Sequence, residues 1–108
     1  MRKLNNIFDG LPNNNIPEEL FQTLIEHDNV KLERIISTGH TTPKGKWYDQ
    51  MQDEWVLLLK GQAILQFEDN TEAHLQPGDY IFIESHRKHR VKYTSHNEPC
   101  VWLAVHIY

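Results

Sequence analysis

The chain has 108 residues, a size that supports one folded domain with a single hydrophobic core. It carries 11 basic and 15 acidic residues, and a net charge of -4 with scattered positive residues argues against a nucleic-acid partner. Cys100 is the only cysteine, which excludes an internal disulfide framework and a thiolate-only zinc site. The sequence has no secretory h-region and no apolar window long enough to span a membrane. We therefore predict a cytoplasmic protein with no nucleic-acid and no membrane partner.

The first 28 residues predict an N-terminal arm followed by a short helix, ahead of a barrel formed by residues 29–108. Asn15 and Glu18 have the spacing of a capping box, which favours a helix start at this point. The apolar residues of the segment 16–27 fall at helical spacing, and they are Ile16, Leu20, Phe21, Leu24 and Ile25. We expect this helix to pack on the outside of a sheet.

From residue 29 onward, short apolar or alternating runs are separated by turn signals. The runs that predict strands are VKLERIIS, EWVLLLKG, QAILQFED, TEAHL, YIFIES, HRVKYTS and CVWLAVHIY. Turn signals every eight to twelve residues or so are typical of an antiparallel sandwich or barrel. The run from Trp55 to Leu59 is apolar on both faces, so the helix, the N-terminal arm or a second subunit should cover its outer face. We expect a homodimer for this reason.

The segment Trp47–Gly61 combines an acidic pair with an apolar run that ends in glycine. Glu54 and Gly61 keep the spacing of the glutamate and the glycine in the first sequence motif of the cupin family, in which two histidines precede the glutamate. Other residues occupy the two histidine positions here. They are Trp47 and Asp49 under one family spacing, or Tyr48 and Gln50 under the shorter one. The segment therefore resembles a cupin motif without its histidines.

The segment Pro77–Val91 resembles the second motif of the same family, with Gly78, a hydrophobic strand and His89 at the position of the motif histidine. Glu84 and His86 stand where the family has proline and glycine. Together the two segments resemble a small single-domain cupin of the cupin 2 conserved barrel type. The resemblance implies an all-β double-stranded β-helix, or jelly-roll barrel, that holds one metal ion at its mouth.

Four residues in the two segments are candidate ligands of a divalent metal ion. They are Asp49, Glu54, His86 and His89. Two carboxylates and two imidazoles suit Zn²⁺, which we favour, with Fe²⁺, Mn²⁺ or Ni²⁺ as alternatives. Strand alternation places Glu54 on the same face as Val56, so a carboxylate facing the barrel interior must be paired, metal-bound or protonated.

Each of these candidates also has a purely structural interpretation. Asp49 fits the role of a turn cap. Glu54 is also compatible with a buried ion pair to Arg34 or Arg90. His106 is a weaker candidate, because its place on the last strand is typical of a histidine that is hydrogen-bonded on one face of a sheet.

Two functions from different classes fit the sequence. In the first, the chain is a metal-dependent enzyme acting on a small polar metabolite, and Tyr48, Gln50 or His86 transfers a proton or orients the substrate. In the second, the same pocket is a non-catalytic module that binds a small molecule, and the basic turn SHRKHR either suits an acidic ligand or is a solvated loop. We expect Trp102 and Phe82 to belong to the barrel core.

Overall fold

The computed structural model describes residues 4–108, which form two antiparallel sheets. The strands are β1 (Leu20–His27), β2 (Val30–Ser37), β3 (Asp53–Lys60), β4 (Ala63–Phe67), β5 (Glu72–Leu75), β6 (Tyr80–Ile83), β7 (His89–Thr94) and β8 (Cys100–Ile107). One sheet has the order β1-β2-β8-β3-β6, and the other has the order β5-β4-β7. The predicted all-β jelly-roll fold is confirmed. Residues 4–108 contain no helix that is long and apolar enough to cross a membrane.

The hydrophobic core lies between the sheets, because both contribute inward side chains to one cluster. Leu58 of β3 and Leu65 of β4 are almost fully buried in this cluster, together with Trp102 of β8. Trp102 is thus a core residue as expected, whereas the same expectation for Phe82 is wrong because its side chain is 46% exposed on β6. Period-two alternation explains the buried face of β3, where every second residue from Glu54 to Leu58 points inward.

The helix predicted for residues 16–27 is wrong, since Leu20–His27 form the edge strand β1. This strand pairs antiparallel with β2, from His27 opposite Val30 to Leu20 opposite Ile36. A spacing of four residues is close to one helical turn and is also two repeats of a strand, so it does not separate the two structures. The hydrogen bonds to β2 decide the outcome, because tertiary context overrides a weak local preference.

The strands predicted after residue 29 are all present, and the division between an N-terminal segment 1–28 and a barrel 29–108 stays a prediction. Residues 1–3 of the predicted arm lie outside the described residues. In place of the predicted capping box, the Ile16 N–H donates to Thr38 Oγ1 at 3.0 Å. The N-terminal segment is therefore attached to the sheet at the end of β2.

Candidate functional site

A cavity of about 130 Å³ lies between the two sheets. Most of its wall is apolar and comes from Ile35, Val56, Leu65, Ile83, Val91 and Trp102. Its polar groups come from Glu19, Glu33, Tyr48, Gln50, Glu54, His89 and His106. A mainly apolar cavity with a few convergent polar groups is the usual form of a small-molecule site.

Glu54 is the buried carboxyl group of this cavity. It lies near the start of β3 on the same face as Val56, as its alternation predicts, and only 7% of its surface is exposed. Its nearest hydrogen-bond donor is Gln50 Nε2, at 3.4 Å from Glu54 Oε1, which is long for a hydrogen bond. Burial raises the pKa of Glu54, the nearby His106 opposes this change, and Glu33 adds to it. Burial therefore shifts the equilibrium of this carboxyl group toward its protonated form.

The arginines proposed as ion-pair partners of Glu54 bind elsewhere. Arg34 donates to the backbone oxygen of Ile7 at 2.8 Å, and Arg90 donates to the backbone oxygen of Thr42 at 3.0 Å. The interpretation of Glu54 as half of a buried ion pair with either arginine is wrong.

His89 begins β7 and faces Glu54 across the cavity. Its Nδ1 lies 2.9 Å from the backbone oxygen of Arg87, which can only accept, so Nδ1 carries the hydrogen and Nε2 is an acceptor. That Nε2 atom is 3.9 Å from Glu54 Oε1. Burial lowers the pKa of His89, although its hydrogen bond to the Arg87 carbonyl offsets part of the change. Backbone bonds in both directions join His89 to Tyr48, whose ring centroid is 5.6 Å from that of His89.

His106, on β8, connects Glu54 to a second buried carboxylate. Its Nε2 lies 2.8 Å from Glu33 Oε1 and 3.8 Å from Glu54 Oε2. The Gln52 amide nitrogen lies 3.2 Å from His106 Nδ1, and an amide NH₂ can only donate, so the hydrogen of the ring is on Nε2 and points to Glu33. This histidine is hydrogen-bonded, as its position on the strand predicts, and it also lines the cavity.

Glu33 and Gln52 are functional candidates that the sequence did not reveal. Gln52 Nε2 also donates to Gln50 Oε1 at 2.9 Å, which fixes the Gln50 amide beside Glu54. Glu33 lies in a strand with apolar residues on both faces, so no local sequence pattern shows that its side chain points inward. The signal that remains is its spacing of two residues from Ile35, which lines the same cavity.

Asp49 and His86 form a separate pair outside this cavity. His86 Nδ1 lies 2.7 Å from Asp49 Oδ1, and the two side chains are 65% and 42% exposed. Tyr48 and Gln50 line the cavity, whereas Asp49 and His86 do not. The four predicted ligands therefore lie in two pairs, Glu54 with His89 and Asp49 with His86. The predicted roles of these residues in metal binding and catalysis stay predictions.

A family profile described as a cupin domain matches residues 35–106, well over half of the chain. The chain belongs to the cupin family. This cupin is similar over 98% of both chains to a protein of Ralstonia eutropha JMP134 that is provisionally assigned as a mannose-6-phosphate isomerase, with 44% identity and a TM-score of 0.92. The resemblance found in the two sequence segments is thus confirmed.

Two more distant crystal structures share the fold of this cupin. A cupin superfamily protein of Desulfitobacterium hafniense DCB-2 is 18% identical with a TM-score of 0.70, over 84% of this chain and 78% of that one. The DMSP lyase DddQ of Ruegeria pomeroyi DSS-3 is 20% identical with a TM-score of 0.70, over 83% of this chain and 47% of that one. The curated proteins gave no match to this cupin.

The donor geometry of this cupin does not fit a preformed metal site. Within residues 4–108, no group of three or more His, Cys, Asp or Glu side chains is arranged so that it could hold a metal ion. The hydrogen of His106 Nε2 points to Glu33, so this atom is not available as a metal ligand, and Glu54 and His89 form a pair without a third ligand.

Proposed function

We propose that this cupin is a cytoplasmic enzyme that moves a proton on a small polar metabolite, with Glu54 as the acid and His89 as the base. The observation that carries the proposal is the buried pair itself, with Oε1 and Nε2 separated by 3.9 Å. That distance exceeds a hydrogen bond, so each group can instead contact a ligand atom. Buried titratable groups that converge on a cavity are typical of active sites.

A proton transfer between these two groups balances without a cofactor. His89 Nε2 takes a proton from the carbon next to a carbonyl group, while the Glu54 carboxyl group protonates the carbonyl oxygen and an enediol forms. The imidazolium then gives its proton to the former carbonyl carbon. The Glu54 carboxylate takes the proton of the hydroxyl group on the other carbon, which becomes the new carbonyl carbon. Both side chains end in their starting states. The raised pKa of Glu54 shifts this group toward its protonated form, and the lowered pKa of His89 shifts the imidazole toward its neutral form.

Tyr48 and Gln50 orient the ligand in this proposal. Gln50 is fixed by the Gln52 amide, so its own NH₂ group is directed beside Glu54. Burial, together with the charge of Glu19, raises the pKa of Tyr48, so its phenol stays neutral and remains a hydrogen-bond donor. Both residues occupy positions that the first cupin motif assigns to histidines under the shorter family spacing.

The Ralstonia relative supports this class of reaction. Its provisional name is that of an isomerase of a sugar phosphate, and it shares 44% of its residues with this cupin. Conversion of a hydroxy-aldehyde to a hydroxy-ketone moves a hydrogen between neighbouring carbon atoms, and the enediol route moves it as a proton. The pair Glu54 and His89 can supply that step.

A divalent metal ion, with zinc favoured, stays a prediction, and the proton transfer between His89 and Glu54 does not require it. Elemental analysis of the protein purified without a histidine tag or a chelator tests it, with His89→Ala measured beside it. Close to one equivalent of metal that is lost in the variant supports the ligand assignment of His89. Equal metal content in the two proteins contradicts that assignment.

Exchange of hydrogen for deuterium next to a carbonyl group tests the proposed reaction. Small hydroxy-aldehydes and hydroxy-ketones are incubated with the protein in D₂O and followed by NMR. We expect the protein to catalyse exchange, and we expect Glu54→Gln or His89→Gln to slow it by about 10²- to 10⁴-fold, the usual contribution of general acid–base catalysis. Glu68→Gln is the matched control, because that carboxylate is 62% exposed and pairs with Lys88.

The same experiment separates the two functions that the sequence predicts. Ligand binding without exchange in the unaltered protein would contradict the enzyme and support a non-catalytic binding module. Asp49→Asn and His86→Gln test the predicted roles of the outer pair. A loss of exchange in these variants as large as in Glu54→Gln would extend the active site to that pair.

A further inference from the structure

The polar and the apolar side chains of the cavity occupy different rows of the five-stranded sheet. In one row, Glu54 of β3 lies opposite His106 of β8. Four residues away along β8, Trp102 lies opposite Ile35, which lies opposite Phe21 of β1. All five side chains line the cavity. Because a strand advances about 3.3 Å per residue, the two rows are about 13 Å apart, and the cavity has a polar end and an apolar end.

The three-stranded sheet shows the same division on the facing wall. His89 begins β7, and Val91 follows two residues later, opposite Leu65 of β4. Val91 and Leu65 both line the cavity, and Leu65 is only 3% exposed. Val56 follows Glu54 on β3 by the same two residues and also lines the cavity. A ligand group that extends about 6.6 Å past the pair Glu54 and His89 therefore meets hydrocarbon on both walls.

A hydroxyl group of a ligand is disfavoured in this apolar section. The side chains of Val56, Leu65 and Val91 have no hydrogen-bond donor or acceptor. The backbone of Val91 is already bonded to Thr42, because its N–H donates to Thr42 Oγ1 and its oxygen accepts from the Thr42 N–H, both at 2.9 Å. A hydroxyl group buried without a partner loses its hydrogen bonds to water, whereas a methyl group gains from burial.

The two carboxylates nearest to this section already have donors. Glu33 Oε1 lies 2.8 Å from His106 Nε2, and Glu33 Oε2 lies 3.7 Å from Lys31 Nζ. The Ser37 hydroxyl group donates to Glu19 Oε2 at 2.5 Å. Neither carboxylate therefore needs a ligand hydroxyl group to satisfy its hydrogen bonding.

The size of the cavity limits the part of the ligand that it encloses. Its volume is about 130 Å³. An apolar protein cavity of about 150 Å³ is known to hold benzene, which has six non-hydrogen atoms. The enclosed part of the ligand therefore has about six non-hydrogen atoms, enough for a hydroxy-carbonyl group and one short alkyl group.

Building on the proposed function, we propose that the substrate is a hydroxy-ketone or hydroxy-aldehyde that carries a short alkyl group beside its reacting carbons. The carbonyl and hydroxyl groups contact Glu54 and His89, and the alkyl group packs against Val56, Leu65 and Val91. This substrate class differs from the sugar phosphate in the provisional name of the Ralstonia relative. The difference rests on the apolar section of the wall, where the further hydroxyl groups of a sugar would be buried.

Two compounds of equal size, measured by calorimetry, test the inference. Dihydroxyacetone and 1-hydroxy-2-butanone each have six non-hydrogen atoms, and a methyl group in the second replaces a hydroxyl group in the first. We expect 1-hydroxy-2-butanone to bind at least about tenfold more tightly, because its methyl group avoids the cost of a buried hydroxyl group. It should also bind about fourfold more tightly than hydroxyacetone, which is shorter by one CH₂ group.

The variant Val91→Thr places a hydroxyl group in the apolar section with little change in volume. It should reduce the preference for 1-hydroxy-2-butanone over dihydroxyacetone by about threefold or more. Val105→Thr is the matched control, because Val105 is also half-buried but does not line the cavity. The comparison of compounds on the unaltered protein does not depend on how well either variant folds.

Tighter binding of dihydroxyacetone or mannose 6-phosphate than of 1-hydroxy-2-butanone would overturn the inference, and so would equal binding or no binding of the three compounds. An unchanged preference in Val91→Thr would overturn the place of the alkyl group. These outcomes are distinct from failure of the proposed function. Binding of 1-hydroxy-2-butanone without hydrogen exchange contradicts the enzyme and leaves the ligand class standing. Exchange with dihydroxyacetone or mannose 6-phosphate alone supports the enzyme and overturns the ligand class.

Discussion

Replacement of Glu54 by glutamine should separate the stability of the barrel from its chemistry. The change keeps the shape of the side chain and removes the only charge that it can carry. Glu54 is 7% exposed, and burial raises its pKa, so ionisation of this carboxyl group costs more in the folded protein than in the unfolded chain. Each unit by which the pKa is raised corresponds to about 1.4 kcal/mol of differential stability. Since an amide has no charge to desolvate, Glu54→Gln should be at least as stable as the unaltered protein at pH 8.

The effect on hydrogen exchange has the opposite sign. Loss of the acid should slow exchange by about 10²- to 10⁴-fold, which corresponds to about 2.7 to 5.5 kcal/mol of activation free energy. Urea denaturation at pH 8, followed by tryptophan fluorescence, and NMR exchange are measured on the same preparations, with Glu68→Gln as the control. Two results would refute the reasoning. One is a loss of about 3 kcal/mol or more in stability, which would indicate a structural ion pair, and the other is an exchange rate within about threefold of the original.

Three further predictions concern stability and assembly. Burial lowers the pKa of His89 from 6.5, so the unfolded state binds more protons, and the free energy of unfolding should fall as the pH falls below about 6.5. In urea denaturation, His89→Gln should show a weaker decrease in this free energy between pH 7 and 5 than the unaltered protein. Parallel pH profiles of the two proteins would contradict this prediction. Gly61 has a φ of +87°, and an added Cβ would lie 2.6 Å from Cys100 Sγ, whereas Gly45 has a φ of +82° and nothing within 4 Å. Gly61→Ala should therefore cost about 3 kcal/mol or more in unfolding free energy and Gly45→Ala about 1 to 2 kcal/mol, and equal losses would show that the contact with Cys100 is not the cause. Leu24 and Ile25 are 46% and 49% exposed on the edge strand β1. We therefore expect light scattering at micromolar concentration to show a homodimer, and we expect Ile25→Lys to be a monomer. A monomeric unaltered protein would contradict this prediction.

The strands of the barrel could be predicted because their signals are local. Alternating side chains and turn residues mark each run from β2 to β8, and these runs match the observed strands. The first strand could not be recognised, because apolar pairs four residues apart at Leu20 and Leu24 satisfy both a helix and a strand. Its pairing with β2 is a contact between segments, which no local pattern records.

The site could be predicted in part for the same reason. Glu54 and His89 were found from motif positions, but the choice between Asp49 and Gln50 depends on a shift of one residue, which reverses the face of an extended chain. In the structure, Gln50 lines the cavity and Asp49 does not, and the backbone bridge between Tyr48 and His89 lies beside this segment.

The missed carboxylate Glu33 shows why a polar site of this kind is hard to find in one sequence. Its contact with His106 joins residues that are 73 positions apart. Neither residue belongs to a motif, and each alone is compatible with an ordinary strand. Only the order of β2, β8 and β3 in one sheet brings both of them beside Glu54.

The register of β3 explains why chemistry and stability should respond to different substitutions. Glu54, at the start of this strand, lies opposite His106, and the polar groups of the cavity gather at that end. The strand then continues into the apolar core at Leu58 and ends at Lys60, and the following Gly61 packs against Cys100. Substitution at the polar end removes groups that are costly to bury, whereas substitution at the Gly61 end disturbs close packing. We therefore expect loss of exchange without unfolding at Glu54, and loss of stability before any loss of chemistry at Gly61.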